Sequence, residues 1–158
     1  MAHPPQQLLR ARVLTGAGWL EGSFHLGKLN GLGDYLANHE WYPLTDVVMA
    51  KVGTMPFLAL SRRQTSLVVA PSDTVATAHG VEHRAVSTTL LLPDGAVDGK
   101  LELAAGMRLS DHIDRAKGFL LLEDANVKVW ADSLAHYFDR LFINPQRLVG
   151  VTEPETLK

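Results

Sequence analysis

The segment His79-Gly80-Val81-Glu82-His83 holds the residue types that metal-assisted hydrolysis needs. In the inverted zinc motif, H-x-x-E-H, two histidines four apart on one helical face hold Zn²⁺ while the glutamate activates water. Gly80 and the β-branched Val81, Val86, Thr88 and Thr89 instead predict a strand. There, residues four apart lie about 13 Å from each other, too far to share one ion. A zinc-dependent hydrolase through His79 and His83 is thus an alternative, and no resident metal or cofactor is expected. Arg62-Arg63, with Arg10 and Arg12, forms a second candidate, a basic spot able to grip a phosphate or an acidic partner. Trp19, Trp41, Tyr42 and Trp130 form a third, because large aromatics outside a core anchor protein interfaces or plug the ends of small barrels. The carboxylates Asp98, Glu102, Asp111, Asp114, Glu123 and Asp124 make no spacing suited to acid–base work or to a calcium loop.

The elements that position these residues are written twice. Gly18-Trp19-Leu20-Glu21-Gly22-Ser23-Phe24-His25-Leu26, Leu32-Gly33-Asp34-Tyr35-Leu36 and Trp41-Tyr42-Pro43-Leu44-Thr45-Asp46 have counterparts downstream in the same order. These are Gly95 to Leu103, Leu109-Ser110-Asp111-His112-Ile113 and Phe119-Leu120-Leu121-Leu122-Glu123-Asp124. A repeated unit is read before local propensity. Each copy opens with two alternating strands across a turn, Thr15-Gly16-Ala17-Gly18 in the first and Pro93-Asp94-Gly95 in the second. Gly22 and Gly99 stand inside matching strands, where glycine marks a bulge or a close backbone approach. A short helical pattern follows, with Ser110 or Asp111 as N-cap in the second copy. Third strands run from Tyr42 to Ala50 and from Phe119 to Lys128, and each copy closes with a hairpin, through Ser61 to Gln64 and through Asn144 to Gln146.

The expected fold is mainly β: two tandem five-stranded antiparallel units, each with a short helix. The first repeat spans residues 8–70, a linker 71–85, and the second repeat 86–154. Whether the units close as two barrels or merge into one sheet stays open at this level.

The second copy resembles the Sm-like (SH3-like barrel) fold, the five-stranded barrel of RNA-associated ring proteins. Leu90 to Leu101 is similar to its opening strands, Leu120 to Ala125 to its third, and Leu141 to Glu153 to its closing hairpin. Asp34-Tyr35-Leu36-Ala37-Asn38 resembles the loop in which an aspartate and an asparagine contact a base. The resemblance implies RNA binding through Asp34, Asn38, Arg62 and Arg63 as an alternative function. Val129 to Arg140 reads as a helix-like insertion that the family lacks.

Hydrophobic content of 46% and charged content of 20% are those of a globular chain able to bury a core. A formal net charge of −2 lacks the overall basic balance of a dedicated nucleic-acid binder. With no cysteine, disulfides, thiolate catalysis and Cys-based zinc sites are excluded. The opening residues lack the pattern of a signal peptide, and no apolar run approaches the roughly 18 to 20 residues of a membrane span. The expectation is a cytoplasmic, non-enzymatic interaction or scaffold protein. It assembles through strand edges and exposed aromatics, with itself or with another protein.

Overall fold

Alternation of apolar and polar residues is realised strand by strand in the computed structural model, which describes residues 7–27, 31–69 and 83–152. The chain runs β1 (Leu8–Thr15), β2 (Gly18–His25), α1 (Leu32–Asn38), β3 (Trp41–Met49), β4 (Gly53–Ser61) and β5 (Thr65–Val69). It continues with β6 (His83–Leu92), β7 (Gly95–Ala104), α2 (Leu109–Arg115), β8 (Leu120–Val129), β9 (Ala135–Ile143) and β10 (Gly150–Val151). Single 3₁₀ turns, Arg62–Gln64 and Pro145–Arg147, precede β5 and β10. No helix among the described residues is long and apolar enough to cross a membrane.

The protein is mainly β, but the strands form one antiparallel ten-stranded sheet rather than two separate five-stranded units. Its order is β10-β6-β7-β8-β9-β5-β1-β2-β3-β4. The merger happens where β5 pairs with β9, through Leu67↔Ile143, Val68↔Phe142 and Val69↔Leu141. Neither half closes on itself among the described residues, because β4 pairs with β3 and β10 pairs with β6. The expected closing hairpins are therefore corrected. The 3₁₀ turns carry the chain away from the preceding strand, so that β5 joins β1 and β9, and β10 joins β6.

Three further expectations change. Residues Val129 to Arg140 contain no helix; β9 starts at Ala135 and pairs with β8 along its length. Tyr137 and Phe138 alternate as in any half-buried strand. The helix α2 starts at Leu109, ahead of both expected caps, Ser110 and Asp111, and Arg108 stands at its N-cap without a side-chain bond. The second half begins at His83, inside the expected linker.

Successive strand residues face opposite sides of a sheet, and the central strands use both sides. Leu14, Leu67, Leu141 and Ile143 join the core under the second half. Their neighbours Val13, Val68 and Phe142 join the core under the first half. The two cores therefore lie on opposite faces of the sheet, and β1, β5 and β9 are shared by both. Phe142 packs beside α1, where a Cβ on Gly33 would lie 3.2 Å from its ring.

Candidate functional site

The relationship between the two halves defines the first candidate surface. Both halves use the same pairing order, β5-β1-β2-β3-β4 and β10-β6-β7-β8-β9. The registers also correspond. Leu14↔Leu67 and Val13↔Val68 in the first half match Leu91↔Gly150 and Leu90↔Val151 in the second. Tyr42↔Leu60 and Leu44↔Leu58 match Leu120↔Ile143 and Leu122↔Leu141. The internal β9–β5 junction thus joins the fourth strand of one half to the fifth strand of the other. Among the described residues the matching strands β4 and β10 are left as the two free edges of the sheet.

What is covered at the junction is uncovered at those edges. Phe119, Leu121 and Phe142 pack on the core of the first half. Their register counterparts at the free end are Trp41, Pro43 and Ala59; Trp41 is 61% exposed. Leu14 is fully buried against the second half, whereas its counterpart Leu91 is 39% exposed and Val149 beside it 69%. The edge strand β4 carries no charge, and Phe57 projects from it at 60% exposure. Such an edge, long and apolar, is a template for pairing with another chain; Pro56 is its one blunting residue. The sequence reading missed Phe57. The uncharged run Val52 to Ser61 was a usable signal, but only the strand order shows it to be an edge.

The four aromatics part company. Trp41 and Trp130 are exposed, and Trp130 rides a turn, its amide N–H donating to Asp94 O at 3.0 Å. Trp19 does not stand free on a polar face. The guanidinium of Arg12 lies 4.8 Å from its ring centroid, and the rings of Phe138 and His136 pack beside it. Trp19 therefore ties β2 to β9 within the chain. Tyr42 belongs in the core, 0% exposed, with its hydroxyl donating to Leu36 O at 2.7 Å. Burial raises its phenol well above the ordinary range.

The basic set is divided in the same way. Arg62 is held inward: its Nη1 donates to Ala37 O at 3.1 Å and lies 3.9 Å from Glu40. Arg63 is exposed and, with Glu40, Trp41 and Ser61, lines a depression of about 440 Å³. Asp34 and Asn38 are exposed on α1, and Asn38 Nδ2 donates to Asp34 O at 2.6 Å. Arg10 and Arg12 serve other partners, Asp46 O and the Trp19 ring.

Where the halves meet, Asn144 is buried and donates from Nδ2 to Arg62 O and Thr65 O, both at 3.0 Å. Beside it, the Ser66 hydroxyl donates to Asp94, whose Oδ2 also lies 3.4 Å from Arg147 Nη2. Of the expected zinc pair, His79 lies outside the described residues and His83 opens β6. Among the described residues no group of three or more metal-ligating side chains converges. No family model, curated protein or solved structure matches the chain.

Proposed function

We propose that the protein is a non-enzymatic interaction protein that assembles head to tail with copies of itself, β4 of one copy pairing with β10 of the next. The observation that carries this reading is the β9–β5 junction, an intramolecular instance of the same contact. Carried over in register, it sets Leu60 opposite Gly150, Ala59 opposite Val151 and Leu58 opposite Thr152. Trp41 and Ala59 then lie where Phe119 and Phe142 lie at the junction, and Leu91 gains the cover that Leu14 has. Because the two edges differ, the contact is heterologous, and repetition gives a closed ring or an open filament. The order of pairing also supports a tandem duplication of an Sm-like unit.

The chain has no cysteines, so paired cysteines report on the contact against a silent background. Mixing an Ala59→Cys variant with a Val151→Cys variant under mild oxidation should give a disulfide-linked heterodimer. Light scattering of the parent should show oligomers that lose mass on dilution, and Trp41→Lys should yield monomers. A parent that stays monomeric at hundreds of micromolar, with no cross-link, overturns the reading.

A second reading, single-stranded RNA binding, draws on the depression between Trp41 and Arg63. An exposed ring beside a guanidinium suits base stacking with phosphate contact. Fluorescence anisotropy with a short RNA at low salt tests it, since ionic contacts are strongest there. Loss of binding in Arg63→Ala supports it, and no binding by the parent removes it.

A further inference from the structure

We propose that the outer face of β6, β7 and β8 carries a binding cleft for a guanidinium group. The argument comes from an arginine that the first half supplies to itself. Arg10, on β1, stands opposite Ser23, next to the Ala11↔Gly22 pair. Its Nη1 donates to Asp46 O at 2.6 Å and to Ser23 Oγ at 3.3 Å, and its Nη2 lies 3.7 Å from Glu21. Asp46 occupies a bulge with φ 52°.

The second half repeats the frame without the arginine. Next to the Thr88↔Gly99 pair, Ser87 stands opposite Lys100, so a serine holds the place of Arg10. Asp98 holds the place of Glu21, and Asp124, with φ 49°, the place of Asp46. Where Arg10 spans the first half, the second half has an open cleft of about 310 Å³, lined by Ser87, Asp98, Asp124 and Asn126 among others. Lys100 takes the position of Ser23 and its ammonium lies 3.6 Å from Asp124 Oδ2. Two carboxylates against one ammonium leave a net negative site, in which the Thr89 hydroxyl donates to Asp98 and the Tyr137 hydroxyl to Asp124, and the Ser87 hydroxyl adds a neutral acceptor. A planar fork of N–H donors is the chemistry that the first half places in this frame.

The ligand is therefore a guanidinium, borne by a free amino acid or by an arginine in a partner's chain. Titration of the ¹⁵N-labelled full chain, followed by amide shifts, separates these sources with two probes: L-arginine and acetyl-Gly-Arg-Gly-amide. Saturable shifts at Ser87, Thr89, Asp98 and Asn126 are expected from one or both. Whichever probe binds more tightly names the source. Citrulline, the neutral isostere, should leave these amides unmoved. Ser87→Arg, which restores the arrangement of the first half, should abolish binding while keeping the parent's melting temperature or raising it. Asp98→Asn should weaken binding at least tenfold. Absence of saturable shifts with both probes overturns the proposal, as do equal shifts with citrulline or retained binding in Ser87→Arg. Repeating the titrations in the Trp41→Lys background, where the β4–β10 contact is expected to be lost, keeps these outcomes separate from the failure of that contact.

Discussion

Asp46 and Asp124 share one unusual backbone state, φ 52° and 49°, and each breaks the alternation of its strand opposite a glycine of the neighbouring strand. Before each aspartate the buried residues are Tyr42 and Leu44, or Leu120 and Leu122; after it they are Val47, or Ala125 and Val127. The extra residue shifts the register between Glu21 and Ser23 and between Asp98 and Lys100. Aspartate tolerates this left-handed conformation better than most non-glycine residues. The inner side chains of the bulged strand then press on the glycine across from them.

Gly99→Ala tests that contact. A Cβ there would lie 2.7 Å from Leu122 Cδ2 and 3.3 Å from Glu123 O, so Leu122 must leave its rotamer. Overpacking of this kind costs about 1–3 kcal/mol, read as a lower urea midpoint at unchanged slope. Gly22→Ala meets Val47 Cγ2 at 3.1 Å and should cost less. A neutral Gly99→Ala would refute the close approach.

The shared central strands predict one unfolding transition. Leu67 faces the second core and Val68 the first, so β5 cannot leave either core without disturbing the other. Leu67→Ala should cost about 2–5 kcal/mol and Phe142→Ala about 3–5 kcal/mol. In both variants, fluorescence and far-ultraviolet circular dichroism should still give coincident transitions. Two separated transitions would show the halves to be independent.

Much of the local structure was legible in the sequence. The alternation of Leu20, Gly22, Phe24 against Val97, Gly99, Leu101 marked the paired strands, and the short helices fell at Asp34 to Ala37 and near Asp111. Pairing partners were not legible where the contact is remote in sequence. Nothing local in Leu67-Val68-Val69 announces β9 as a neighbour more than seventy residues away. The same gap hid the status of the aromatics: Trp41 and Tyr42 are adjacent, yet one faces solvent and the other the core. The side is fixed by the pairing of β3, not by either residue's type.

Asn144 holds the junction by a route that composition does not reveal. Its Nδ2 donates to Thr65 O and to Arg62 O, which also accepts from the Thr65 N–H, and its Oδ1 accepts from Gln146 N at 3.1 Å. Asn144→Ala removes these three bonds at a buried position, and each lost bond costs about 0.5–1.5 kcal/mol. Asn144→Asp keeps the shape but faces a carboxylate toward the two carbonyls, so it should be worse than alanine at neutral pH. If the two variants melt together with the parent, the bridging role is wrong.

Alkaline titration offers a check on the core itself, because the chain has three tyrosines in three settings. Tyr137 is raised chiefly by the bond its hydroxyl donates to Asp124, and Tyr35 by burial. Burial dominates at Tyr42 and lifts it furthest. A phenol whose folded pKa lies above its unfolded value of 10.0 contributes stability that is complete below pH 10 and is lost as pH rises above it. Absorbance at 295 nm should therefore show Tyr42 ionising last, together with loss of the fold, while the exposed Tyr137 titrates earlier and reversibly. Tyr42→Phe should remove that last step. It should also give up the bond to Leu36 O, at about 0.5–1.5 kcal/mol. Three tyrosines ionising reversibly near pH 10 in an intact sheet would place Tyr42 at the surface, and the first core would then need a different centre.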